Sequence, residues 1–134
     1  RTFAMEPFLA SLVPGLMMWS MILINEIPDY EADTQGGKWN LVARFGRKTG
    51  AWLYGVGLAV AYGILIVSSA TGILSPFILL GLLSLPFAAK TFFIMRRHLY
   101  DPLKMAPANL AMIKVHSLTG LAMIAAFVIE WARL

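Results

Sequence analysis

The stretch AWLYGVGLAVAYGILIVSSATGI, residues 51–73, holds 23 consecutive uncharged residues and decides the fold. About 20 apolar residues cross the hydrocarbon core of a bilayer as an α-helix. Three other runs, residues 7–24, 74–95 and 105–129, are comparably apolar, broken only by Lys90 in the second and by Lys114 and His116 in the third. The sequence therefore predicts an all-α, polytopic transmembrane helix bundle. Its four predicted spans cover residues 7–24, 51–73, 74–95 and 107–131.

The composition excludes a soluble domain. Of the 134 residues, 59% are hydrophobic and only 13% are charged, and the mean hydropathy is +0.73. A water-facing surface needs roughly a quarter of its residues charged. The absence of cysteine excludes disulfide scaffolds, thiolate metal sites and cysteine nucleophiles. We assign the formal charge of +4 to the loops, so we predict a lipid bilayer as the surroundings and no nucleic-acid partner.

The lysines and arginines predict the orientation in the membrane. The loop of residues 25–50 and the stretch of residues 90–104 each carry four of the eleven basic residues, and with four spans both lie on one side. Basic loops face the cytoplasm. We therefore expect a protein of the cytoplasmic membrane with the loop 25–50 on the cytoplasmic side.

This loop also holds the residues suited to chemistry, beginning with NEIPDYEAD at residues 25–33. If the first helix continues through it, Asn25, Asp29 and Asp33 are spaced four apart and share a face, with Glu26 beside them. Like charges at that spacing repel, which indicates a cation between them. Ligands that are all oxygen favour a hard ion, and one or two carboxylates with substrate phosphate suit Mg²⁺.

Basic residues follow the acids. Lys38 comes after Gly36 and Gly37, a pair that permits a turn and close backbone approach, and Arg44 offers a fork suited to phosphate oxygens. Together they predict a diphosphate clamp. Glu31, on a different helical face from the aspartates, is expected to matter less. The alternative from the residues alone is a solvated loop whose charges only orient the protein.

At these residues the chain resembles a known family. The segments DYEAD at 29–33, GK at 37–38 and LVARFG at 41–46 are similar to the second aspartate-rich motif of the UbiA-type intramembrane prenyltransferases, in which DxxxD is followed by GKxTLxVRLG. Asn40 stands where that motif usually has Thr. The acids also echo the family's first motif, NDxxDxxxD, but the downstream match and the three spans that follow favour the second.

The resemblance implies a nine-helix fold in which residues 1–134 form one transmembrane piece, the last four spans. Missing N-terminal helices of the same chain would carry the first motif, so this piece is expected to be inactive alone. The implied reaction transfers a polyprenyl group from its diphosphate to an aromatic acceptor, with Mg²⁺ as cofactor. The acidic sequence at residues 25–33, together with His116 and Gly120, is similar to that of the 1,4-dihydroxy-2-naphthoate polyprenyltransferases of menaquinone synthesis.

The resemblance also assigns roles to the loop residues. Asp29 and Asp33 would be the catalytic, metal-binding acids, with Glu26 as a further metal ligand. The implied diphosphate-binding residues are Lys38, Arg44 and Asn25. Metal and cations would stabilise the departing diphosphate while an allylic cation forms and an electron-rich ring attacks it.

The competing hypothesis is a complete four-helix membrane transporter, or a non-catalytic membrane subunit. A cation carrier needs an ionisable residue deep in a span. Glu6 and Glu130 lie near the ends of their predicted spans, and the other acids lie in loops. The sequence therefore favours the prenyltransferase.

Overall fold

The computed structural model describes residues 4–133, which form six α-helices and one 3₁₀-helix. They are α1 (Met5–Glu26), α2 (Tyr30–Gln35), α3 (Leu41–Phe45), α4 (Arg47–Ala70), the 3₁₀-helix (Pro76–Ser84), α5 (Leu85–His98) and α6 (Pro102–Trp131). The 3₁₀-helix and α5 together make one span, and with α1, α4 and α6 they give four helices long and apolar enough to cross a membrane. The predicted all-α class and the number of spans are confirmed.

Helix ends differ from the apolar runs because glycine and proline set them. The second span begins at Arg47, directly after Gly46, whose φ of +84° favours a residue without a Cβ. It ends before Gly72, where φ is +71°. The third span starts at Pro76, and the Ser75 hydroxyl accepts a hydrogen bond from the Phe77 N–H. Hydropathy does not register these breaks, so the second span lies nearer the N-terminus than predicted.

The spans pack as a bundle in which α1 contacts α4 and α6, and α6 also contacts the third span. α1 packs closely against α4 at Gly57. A Cβ there would lie 2.5 Å from the Ser20 hydroxyl and 2.8 Å from the Trp19 ring, so a larger residue would force these side chains to move. Buried hydroxyls link the remaining spans: Tyr62 lies 2.7 Å from Ser84, and Ser84 lies 2.7 Å from Thr119. These bonds satisfy polar groups inside the bundle.

The short helices α2 and α3 lie at one end of this bundle. α3 contacts α1, α2 and α4. Its Val42 side chain packs against Gly50, where a Cβ would lie only 2.7 Å from a Val42 methyl group. The segment of residues 27–46, which we call the charged segment, is therefore folded against the ends of two spans.

Candidate functional site

The charged segment does not continue α1 as a helix, so the predicted shared face is wrong. α1 ends at Glu26, residues 27–29 form a turn, and α2 begins at Tyr30. Pro28 explains the break because it has no N–H to donate to the preceding helical turn. As a result Asn25 and Asp29 are exposed, whereas Asp33 is buried.

Asp33 is the centre of a polar cluster. Its Oδ1 accepts a hydrogen bond from Lys38 Nζ at 2.6 Å, and its Oδ2 accepts one from Asn40 Nδ2 at 2.7 Å. The Asp33 side chain is 7% exposed and that of Lys38 is 68% exposed. The bond from Lys38 lowers the pKa of the Asp33 carboxyl, and the same bond raises the pKa of Lys38. Both groups are therefore charged at neutral pH.

Asn40 connects this cluster to α3. While its amide N–H donates to Asp33, its Oδ1 accepts a hydrogen bond from the Ala43 N–H at 2.7 Å and caps the helix. Glu26 acts on the same helix, since its carboxylate accepts a hydrogen bond from the Val42 N–H at 3.3 Å. Glu26, a predicted metal ligand, and Asn40, a residue of the motif, thus both fix the start of α3.

The other predicted site residues are placed around this cluster. Asp29 is the N-cap residue of α2, and its negative charge contributes to raising the pKa of Lys38. Arg44 is exposed in the last turn of α3, with its guanidinium 5.7 Å from the Phe45 ring centre. The described part of the chain shows no hydrogen bond between Arg44 and any acid. The structure therefore brings Asp33 and Lys38 into contact but leaves Arg44 apart.

The donors present fit one side of a metal site. Within residues 4–133, no three His, Asp or Glu side chains converge to hold an ion by themselves. Each Asp33 oxygen accepts one hydrogen bond and keeps a further lone pair, while Asp29 is exposed. Mg²⁺ is held by one or two carboxylates together with waters and phosphate oxygens. The carboxylates of the charged segment match that partial ligand set.

Arg47 is the residue that sequence reasoning missed. It was counted only as orienting charge, yet it is buried at the start of α4. Its Nε donates to the Ile27 carbonyl at 3.0 Å, and its guanidinium lies 4.8 Å from the Tyr30 ring centre and 5.7 Å from that of Tyr100. One side chain thus joins the end of α1, α2, α4 and the α5–α6 connection. The available sequence signal was a basic residue directly after the helix-starting Gly46.

Glu31 completes this second cluster, a structural contact that its spacing did not predict. Both carboxylate oxygens accept hydrogen bonds from the Arg47 guanidinium, the first at 2.6 Å. This pairing lowers the pKa of Glu31. Glu31 does face away from Asp33, as its spacing predicts, but it uses that direction to hold α2 on the bundle.

The comparisons with known proteins identify the family of the chain. A family model described as the UbiA prenyltransferase family matches residues 1–118, which include α1, the charged segment and the whole of the second and third spans. Searches of curated proteins and of solved structures found no match. Because the family model covers most of the chain, the protein belongs to the UbiA prenyltransferase family.

Proposed function

We propose that the charged segment binds the diphosphate of a polyprenyl substrate and promotes transfer of the prenyl group to an aromatic acceptor. The observation that carries this proposal is the Asp33 carboxylate, ionised and held between Lys38 and Asn40, with Asp29 exposed beside it. Family membership supports the class of reaction over a four-helix transporter. It also places the protein in a membrane, where apolar helices suit a prenyl chain.

Asp29 and Asp33 would hold Mg²⁺, with Glu26 as a further ligand. When bound, Mg²⁺ supplies positive charge that stabilises the departing diphosphate. Asp33 is prepared for this role because the Asn40 amide fixes the direction of its carboxylate, while Lys38 balances its charge until the substrate binds. Asp29 contributes an exposed oxygen at the start of α2.

Lys38 would change partners when the substrate binds. Its ammonium contacts Asp33, but most of its side chain is exposed, so it can turn to a phosphate oxygen without disturbing the bundle. Arg44 is exposed and offers a planar fork for the same diphosphate, and Asn25 lies exposed at the end of α1. Lys38 and Arg44 would stabilise the charge that develops as the bond between carbon and oxygen breaks.

The finer assignments rest on the sequence resemblance and the charge pattern. We assign 1,4-dihydroxy-2-naphthoate, the acceptor in menaquinone synthesis, from the sequence of the acidic segment at residues 25–33 and from His116 with Gly120. His116 lies 14 residues into α6, about 21 Å along that helix at 1.5 Å per residue, and so well away from its Pro102 end. The concentration of basic residues around the charged segment supports a cytoplasmic orientation in the cytoplasmic membrane.

A second acidic motif in further helices of the same chain would supply the opposite side of the metal site. The resemblance to the family implies this motif, and the ligand set agrees with it, because the charged segment provides only part of what Mg²⁺ with diphosphate needs. Residues 1–134 alone should therefore give no prenyl transfer.

The test is turnover of labelled polyprenyl diphosphate and dihydroxynaphthoate by the intact enzyme in lipid. Asp29→Asn and Asp33→Asn remove an anionic ligand while keeping its size, so each should lower turnover at least about a hundredfold, or about 2.7 kcal/mol of barrier. Glu6→Gln is the matched control, because it neutralises an exposed carboxylate at the opposite end of α1. If all three variants keep normal turnover, the charged segment does not serve the reaction.

A further inference from the structure

A groove runs between α4 and α5 on the surface of the bundle. Its inner part, about 420 Å³, is lined by residues that include Gly55, Leu58 and Phe93. Its outer part, about 280 Å³, is lined by residues that include Lys48 and Arg96. Phe92 lines both parts, so they adjoin at this side chain, and we call the two together the α4–α5 groove.

The inner part of the groove offers an occupant only carbon. Two tyrosines line it, but both hydroxyls are already bonded: Tyr54 donates to the Met112 sulfur at 3.5 Å, and Tyr62 is paired with Ser84 at 2.7 Å. The other lining residues are apolar or glycine. A hydrocarbon chain therefore fits this part, whereas a polar group would lose its hydrogen bonds to water.

The outer part of the groove is cationic. Lys48 lies in the first turn of α4 and Arg96 in the last turn of α5, both exposed. Neither forms an ion pair within residues 4–133, although other basic residues there do. Two unpaired cations at one end of an apolar groove match an anionic headgroup followed by hydrocarbon.

The length of the groove matches one leaflet of a bilayer. From residue 48 to residue 62 the helix rises about 21 Å. Half of a hydrocarbon core is about 15 Å, and the headgroup region adds about 6 Å on each side. The groove thus reaches from the headgroups to the middle of the bilayer, which is the depth of one leaflet.

We propose that the α4–α5 groove binds an anionic phospholipid of the leaflet on the side of the charged segment. Its phosphate lies between Lys48 and Arg96, and an acyl chain follows Phe92 and Phe93 toward Tyr62. The acids of the charged segment do not line this groove, so the lipid is separate from the proposed substrate.

The test is lipid retention, measured by native mass spectrometry on the protein released from vesicles that mix zwitterionic phosphatidylcholine with anionic phosphatidylglycerol. The wild type should retain phosphatidylglycerol in preference to phosphatidylcholine. Lys48→Gln with Arg96→Gln should lower that retention about tenfold. Lys90→Gln with Lys114→Gln removes the same charge from exposed residues outside the groove and should leave retention unchanged.

A groove-filling variant tests the hydrocarbon part independently. Gly55→Leu adds a side chain where a Cβ meets nothing within 4 Å, so the variant should fold and should lose retained lipid to a similar degree. Equal retention in all variants would overturn the proposal. So would displacement of the lipid by a polyprenyl diphosphate, which would make the groove a substrate site, or cross-linking of position 92 to another protein segment in place of lipid.

Discussion

Two ion pairs involve residues of α2, and they differ in which member is buried. In the first, the acid is buried and the base exposed: Asp33 is 7% exposed and Lys38 is 68% exposed. In the second, the base is buried and the acid exposed: Arg47 is 7% exposed and Glu31 is 58% exposed. A long exposed lysine can leave its partner for a ligand, whereas a buried arginine held by three elements cannot. The first pair therefore suits substrate binding and the second suits positioning.

Apart from the loss of a proposed metal ligand, the largest effect is expected from breaking the second pair at its buried member. Arg47→Gln leaves the Ile27 carbonyl without its donor and frees α2 from α4, at a cost of about 2–3 kcal/mol. Turnover of the intact enzyme should fall about thirtyfold to a hundredfold, with a higher Mg²⁺ concentration for half-maximal rate. A Mg²⁺ titration with circular dichroism checks this. Lost activity at an unchanged Mg²⁺ requirement would contradict a positioning role.

A smaller effect is expected at Lys38. Lys38→Met removes one phosphate contact but leaves the bundle intact, because this side chain is mostly exposed. The KM for polyprenyl diphosphate should rise about tenfold, which corresponds to about 1.4 kcal/mol, while the thermal midpoint stays close to that of the wild type. The comparison fails if Lys38→Met unfolds the protein and Arg47→Gln does not.

Glu31 should matter less than its partner. Glu31→Gln keeps one acceptor for the Arg47 guanidinium and lies at the exposed side of the pair, so turnover should fall less than tenfold. Combining it with Arg47→Gln tests the pairing by a double-mutant cycle. Additive losses would show that the two side chains do not act together.

These contacts show what the sequence could predict and what it could not. Hydropathy located four spans because a bilayer selects apolar composition over about 20 residues. Pro28 was visible as a helix breaker, yet the spacing argument overlooked it. The burial of Arg47 could not be read from the sequence, because it depends on the Tyr30 and Tyr100 rings, which are distant along the chain. Asp33 was found by its motif, but not its bond to Asn40.

The stability of α2 should depend on pH through its two acids, Glu31 and Asp33. The folded pKa values of Glu31 and Asp33 lie below their ordinary values of 4.5 and 3.8. Their ion pairs therefore stabilise the fold fully above those ordinary values, and this stabilisation is lost as the pH falls through the lower folded values. Hydrogen exchange of the α2 amides should show protection at pH 6 that persists near pH 4.5. Loss of protection near pH 6 would contradict both pairings.

The smallest effect is expected at Asn40, where the motif usually has Thr. Asn40→Thr keeps a side-chain oxygen that can cap α3 and a hydroxyl that can donate to Asp33. Turnover should change less than threefold. Asn40→Ala removes both bonds and should cost about 1 kcal/mol of stability, measured by thermal unfolding. Wild-type stability in both variants would mean that neither bond matters, and an equal loss in both would mean that Thr replaces neither bond.

The most direct test of the account is metal binding at Asp29 and Asp33 in the intact enzyme. Electron paramagnetic resonance can follow Mn²⁺, used in place of Mg²⁺, with an unreactive polyprenyl diphosphate analogue. The account predicts bound Mn²⁺ with a phosphorus coupling in the wild type, and binding at least about tenfold weaker in Asp29→Asn and Asp33→Asn but not in Glu6→Gln. Equal Mn²⁺ affinity in all four proteins would contradict it.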